Sequence, residues 1–229
     1  LIMTLNKKTP SFATLVLVLC GCGVPPVGPL DENEETITGS GTVVTESRTV
    51  SGFAGVSLHG VARITIEQTG EETLTITAED NLLPVLMSEV RDGRLILGPE
   101  ENVKLETHEE IVYHLHVRNL GSIEINGVIY ADAVGIDTET LDINIIGVSH
   151  LTASGRAPLQ DVFLSGVATY HAQALASAGV TIDGDGVINA IVQVSDWLTV
   201  RACGAGSIRY IGSPEVTQNT CPGISVSKR

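Results

Sequence analysis

The chain has 229 residues, with 13 Lys and Arg against 27 Asp and Glu, a formal charge of −14. Val, Ile and Thr are the prevailing side chains, Gly occurs 24 times and Lys is rare. β-Branched side chains suit a pleated surface and crowd a helix, which excludes helical bundles and coiled coils. The scarcity of Lys and Arg excludes a nucleic-acid partner, whose binding rests on clustered cations.

Reading from Met3, Lys7 and Lys8 precede an apolar run over 12–19. A membrane-spanning helix needs about 20 apolar residues, so this shorter run reads as the centre of an export signal. Leu19-Cys20-Gly21-Cys22 resembles a bacterial lipobox. That resemblance implies a signal peptide over 1–21, cleavage before Cys22, and lipid on the Cys22 sulfur and its new amine. Two or more acyl chains hold a protein stably at a membrane. Gly23 stands where Asp would retain such a lipoprotein at the inner membrane, so the outer membrane is the expected destination. Residues 22–41 combine Pro, Gly and acids without apolar periodicity and read as a tether.

The domain itself is expected over 42–212. Its first part alternates apolar and polar positions over 42–50, 61–67, 73–78, 94–97 and 111–117, the mark of half-buried strands. Asp92-Gly93 is a tight-turn signal, and 80–87 predicts one short helical turn. Most of the acidic excess falls within 31–110.

The second part repeats. Gly127, Gly147, Gly166, Gly186 and Gly206 recur at a nearly constant spacing. Ile123, Ile143, Val162, Ile182 and Ala202 stand four positions before them. A fixed period of about 20 residues with β-branched apolar rows predicts a β-solenoid. Each coil has an apolar row that it cannot bury alone, and stacking at about 4.8 Å buries like on like. The expected fold is all-β: a right-handed parallel β-helix with coils of about 20 residues, preceded by an irregular strand-rich part. A β-sandwich with regular turns is the competitor.

Gly52-Phe53, Val56-Ser57-Leu58-His59-Gly60, Glu79-Asp80-Asn81-Leu82-Leu83, Asp92-Gly93-Arg94-Leu95 and the stretch from Leu120 to Gly127 follow one another in an order that resembles the bacterial head GIN domain, an auto-transporter adhesin head. The resemblance covers about 50–212. It implies a β-helix-like fold in exported or lipid-anchored proteins and brings no catalytic residues or cofactor.

Candidate chemistry is sparse. His114 and His116 share one strand face, with His108 nearby, but a solvated face explains them better than a metal site. Asp183-Gly184-Asp185-Gly186 resembles part of a calcium loop and reads better as a corner. Asp142 and Asp161 fall in one column, and paired carboxylates serve glycoside hydrolysis; a carbohydrate-active enzyme is therefore the alternative function. The expected binding strip is Tyr130, His150, Tyr170, Asn189, Arg209 and Tyr210, placed three and four positions past the corner glycines. The leading expectation is a non-catalytic envelope protein that meets a membrane through its lipid and a protein or glycan ligand through this strip. A purely structural module that forms homo-oligomers through a solenoid edge is a further alternative. Cys203 and Cys221 form an even pair in an oxidising compartment and read as a disulfide pinning a C-terminal cap over 213–229, or else as two free thiols.

Overall fold

The computed structural model describes residues 35–229. The expected signal peptide, the lipidation site Cys22 and most of the tether lie outside the described residues.

The order is β1 (Glu35–Thr38), β2 (Val43–Arg48), β3 (Gly55–Gln68), β4 (Thr73–Glu79), a 3-10 turn (Leu83–Val85), β5 (Leu86–Arg91), β6 (Arg94–Pro99) and β7 (Val103–Glu106). It continues through β8 (Val112–Val117), β9 (Ser122–Asp137), β10 (Thr140–Arg156), β11 (Leu159–Ile211), β12 (Glu215–Thr220) and β13 (Ile224–Lys228). The described part is all-β, as the β-branched composition requires. The short helical turn expected over 80–87 is the 3-10 turn, and Asp92-Gly93 closes the β5–β6 hairpin with φ of 50° and 73°.

From β9 onward the chain stacks on itself. β10 lies parallel to β9, with Ile143 beside Ile123 and Ile145 beside Ile125. β11 begins parallel to β10, with Val162 beside Ile143 and Leu164 beside Ile145. All six side chains are buried. β11 has 53 residues; laid straight it would reach roughly 175 Å at about 3.3 Å per residue. Instead it bends at its glycines and returns over itself. A Cβ on Gly186 would strike the carbonyl oxygen of Gly166, and one on Gly204 that of Gly186.

The glycines form a column. Gly127 pairs with Gly60 of β3, Gly147 with Gly127, and Gly166 with Gly147. Their φ values are positive, 138° at Gly127 and 113° at Gly147, and a Cβ at Gly147 would strike the Gly127 carbonyl oxygen. Only glycine fits such a corner.

Two expectations are corrected. The fifth corner glycine is Gly204, two positions before the expected Gly206, which packs on Ile188 instead. The column also starts earlier, at Gly60, because β3 pairs with β9 from Gly55–Ser122 to Glu67–Val134. The segment 213–229, expected as a cap, adds to the end of the stack in register. β12 pairs with Trp197–Ala202 and β13 with Gly206–Tyr210, both parallel, so this segment is one more rung. Its inner positions are mixed: Val216, Ile224 and Val226 pack on the core, whereas Gln218 stands beside Val200 and Thr220 beside Ala202. Polar residues on the last rung let the apolar interior end in water. Cys203 and Cys221 are disulfide-bonded across these two rungs, with Cα atoms 4.7 Å apart.

Candidate binding face

Beyond each corner glycine up to Gly186 stands an exposed valine, Val61, Val128, Val148, Val167 and Val187, each between 43% and 63% exposed, and Ala205 takes this place after Gly204. Val61 pairs with Val128 and Val148 with Val167, so they form one row along the stack. The corner turns these side chains outward, whereas the next residues (Ala62, Ile129, Ser149, Ala168, Ile188) are buried.

One position further, Arg63 pairs with Tyr130, Tyr130 with His150, and His150 with Thr169. The Arg63 guanidinium sits 5.3 Å from the Tyr130 ring centre, a cation–π contact. Tyr130 and His150 stack at 6.2 Å, and His150 meets His171 edge-on at 4.8 Å. Arg63 also bonds Glu110 at 3.1 Å, and His150 Nε2 lies 3.2 Å from Thr152 Oγ1. Partial burial, then the neighbouring His150, Arg209 and Arg229, hold the His171 imidazole below its ordinary value. Its neutral form is thereby favoured at pH 7, leaving a ring that can both donate and accept. Adjacent strands thus present a cation, a phenol and two imidazoles beside an apolar row.

The expected strip is only partly reproduced. Tyr130, His150, Asn189 and Arg209 reach the surface. Tyr170 does not: it is fully buried beside Leu151, and its hydroxyl bonds Gln160 Oε1 at 2.6 Å. Tyr210 is half-buried and packs on the core. The shortened rung between Gly186 and Gly204 is the reason Arg209 leaves the column. It sets Ser207, not Arg209, beside Asn189, with Ser207 Oγ 3.2 Å from Asn189 Oδ1. Arg209 moves two positions along, close enough to His171 to depress its titration. Arg63 and His171 escape the sequence reading. Strands β4 to β8 separate Arg63 along the chain from its neighbour Tyr130, and His171 stands five positions past its corner rather than three or four.

The other candidates are placed as follows. Asp142 and Asp161 are direct neighbours, and both are exposed. They share an open depression of about 340 Å³ with Arg94, Glu124, Asn144 and Phe163. Arg94 is ion-paired to Glu124. Arg201 grips Asp183 through two bonds of 2.6 and 2.8 Å. That bond, against a smaller cost of burial, keeps the Asp183 carboxyl below its ordinary value. Asp183 therefore has a cationic partner from its own chain, as befits a corner. His114 is exposed and His116 half-buried on β8, while His108 turns to Glu79, with Nδ1 3.3 Å from Oε1. Among the described residues no three His, Cys, Asp or Glu side chains gather as a metal set. No described helix is long and apolar enough to cross a membrane.

Residues 52–214 match the family described as "Putative auto-transporter adhesin, head GIN domain". No curated protein matches the chain. Among solved structures, a "putative adhesin" from Bacteroides fragilis is similar at 20% identity with a TM-score of 0.68, covering 84% of this chain and all of its own. A "putative lipid binding protein" from Parabacteroides distasonis is 17% identical, TM-score 0.54, over 85% of this chain and all of that one. A "putative adhesin" from Parabacteroides merdae is also 17% identical, TM-score 0.50, over 85% of this chain and 99% of that one. These likenesses concern the fold, while the family match spans most of the chain: the chain belongs to the head GIN domain family.

Proposed function

We propose that this chain is a non-catalytic adhesin of the bacterial cell envelope that uses the Arg63–Tyr130–His150–His171 ladder and its valine row to bind a protein or glycan ligand. In this reading its strands wind as a right-handed parallel β-helix, and lipid on Cys22 anchors it to the outer membrane. The observation that carries the reading is the ladder itself. Tyr and Arg are favoured at contact surfaces, and here both stand on a rigid parallel stack. Family membership supports the adhesin role. The parallel register supports the helical winding, and the lipobox-like Leu19-Cys20-Gly21-Cys22 supports the anchor.

The test is retention of the purified chain on glycan and envelope-protein arrays. The chain should be retained with no cleavage of the probe. Tyr130→Ala with His150→Ala should weaken retention at least about tenfold, the scale of a two-residue hot spot. Release of reducing or unsaturated sugar ends would overturn the reading in favour of the Asp142–Asp161 enzyme. For the anchor, labelled fatty acid should enter the wild-type chain in cells and not Cys22→Ser; equal labelling would remove the lipid from the proposal.

A further inference from the structure

A separate cavity of about 350 Å³ lies between the 59–62 corner of β3 and strand β7. Val61, Leu86, Pro99, Leu105, Ile111 and the Tyr113 ring give it mainly apolar walls. Leu86, Ile111 and Tyr113 belong to the buried core, and Leu105 packs against it. Cavities of this size and lining are where small molecules bind.

Its polar groups are few, and one is idle. His59 Nε2 is engaged with the Pro99 carbonyl at 2.9 Å. Tyr113 is 1% exposed, yet its hydroxyl has no hydrogen-bond partner among the described residues. Tyr113 lines the cavity, so the space beside its side chain is open to a ligand. A buried hydroxyl without a partner costs stability that a ligand acceptor would recover. Burial, opposed only weakly by Arg48, also holds the Tyr113 phenol far above its ordinary value, so it stays a donor.

Charge narrows the occupant. Glu100, Glu101, Glu106, Glu109 and Glu110 crowd the segment that borders the cavity; Lys104, its one base, is exposed among them and also lines the cavity. An anion approaching through this field is repelled. No carboxylate lines the cavity itself, so a cation would lose its hydration without gaining a partner. We propose that the cavity binds an uncharged, largely apolar small molecule with one hydrogen-bond acceptor, which receives the Tyr113 hydroxyl. The site is independent of the binding face and shares only Val61 with it.

The full chain can be titrated with Prodan, an uncharged naphthyl ketone whose emission shifts to the blue in apolar surroundings. Saturable one-to-one binding with a blue shift is expected. Tyr113→Phe keeps the ring and should raise Kd about tenfold, the loss of one buried hydrogen bond. Leu105→Trp should abolish binding by filling the space, with the β-sheet circular dichroism of both variants unchanged. The anionic dye 8-anilinonaphthalene-1-sulfonate should bind at least about tenfold more weakly. Unchanged Prodan affinity in both variants, or equal affinity for the anionic dye, would overturn the proposal. Tyr130→Ala should leave Prodan binding intact, so failure of the binding face and failure of the cavity are told apart.

Discussion

Between residues 122 and 228 the strands pair with one another only in the parallel sense, whereas the strands of 35–120 pair in both senses. There, β2 and β8 run antiparallel to β4, β5 runs antiparallel to β6, and β1 and β7 form a parallel pair of their own. The two regions hold together by different means. In the stack the same backbone approach recurs at every corner, so stability is spread over a repeated feature. In the front end a few polar side chains clasp unlike segments. Arg48 donates to the Leu83 carbonyl at 2.6 Å, to Ser88 Oγ at 3.0 Å and to the Leu86 carbonyl, tying β2 to the 3-10 turn and β5. Glu79 accepts from the Gly41 amide at 2.6 Å and the His108 amide at 3.0 Å, closing two loops over one carboxylate. A repeated backbone contact fails by steric intrusion; a side-chain clasp fails by titration.

The sharpest way to break the stack is a methyl group at a corner. Gly147→Ala would have to hold a φ of 113° and push against the Gly127 carbonyl. The expected loss is about 3 kcal/mol or more, since strain and overpacking act together. Urea unfolding should show the midpoint falling at unchanged slope. A variant as stable as wild type would mean that the corners are not what holds the rungs together.

The second change acts on the last rung alone. Joint replacement of Cys203 and Cys221 by Ser frees a loop closed by a sequence separation of 18. The expected loss is about 3 kcal/mol in the chain-entropy model. Because β12 and β13 are paired on one side only and are mostly exposed, the loss should appear as early amide exchange over 215–228. Uniform weakening of the whole stack would contradict a local role.

How far the sequence reveals this design depends on parity. A strand alternates inward and outward side chains, so a shift of two positions preserves the alternation. Ala202 is apolar and buried whether its rung turns at Gly204 or at Gly206. The hydrophobic pattern therefore could not choose between the two glycines, and the expected place of Arg209 inherited the error. Tyr170 shows a second limit. Its column also holds Ala131, Leu151 and Ala190, all buried, and that company marks an inward row more reliably than the hydroxyl marks a surface. The start of the stack was legible but lay outside a fixed period. Val56-Ser57-Leu58-His59-Gly60-Val61 repeats the pattern of Ile123-Glu124-Ile125-Asn126-Gly127-Val128, only far upstream of it. The intervening strands β4 to β8 are a long excursion between two neighbouring rungs. The ladder residues themselves could be read as polar and outward, but their mutual contacts depend on a register that composition does not carry.

The front end should respond to acid through the Glu79 clasp. Burial acts to raise the Glu79 carboxyl, but the amides of Gly41, His108 and Glu109 and the His108 ring outweigh it, so its folded value lies below the ordinary 4.5. A carboxylate depressed on folding contributes stability above its unfolded value and loses it as pH falls through the folded one. The window therefore opens near pH 4.5 and extends below it. With a net charge of −14, neutralising carboxylates elsewhere relieves repulsion over the same range, so the wild-type curve alone would mix the two effects. Glu79→Gln isolates the clasp, because it retains the shape without the titration. The difference in Tm between wild type and Glu79→Gln should be constant above about pH 5 and shrink steadily below it. A difference that stays constant down to about pH 3 would show that the loops are held by packing rather than by the ionised carboxylate.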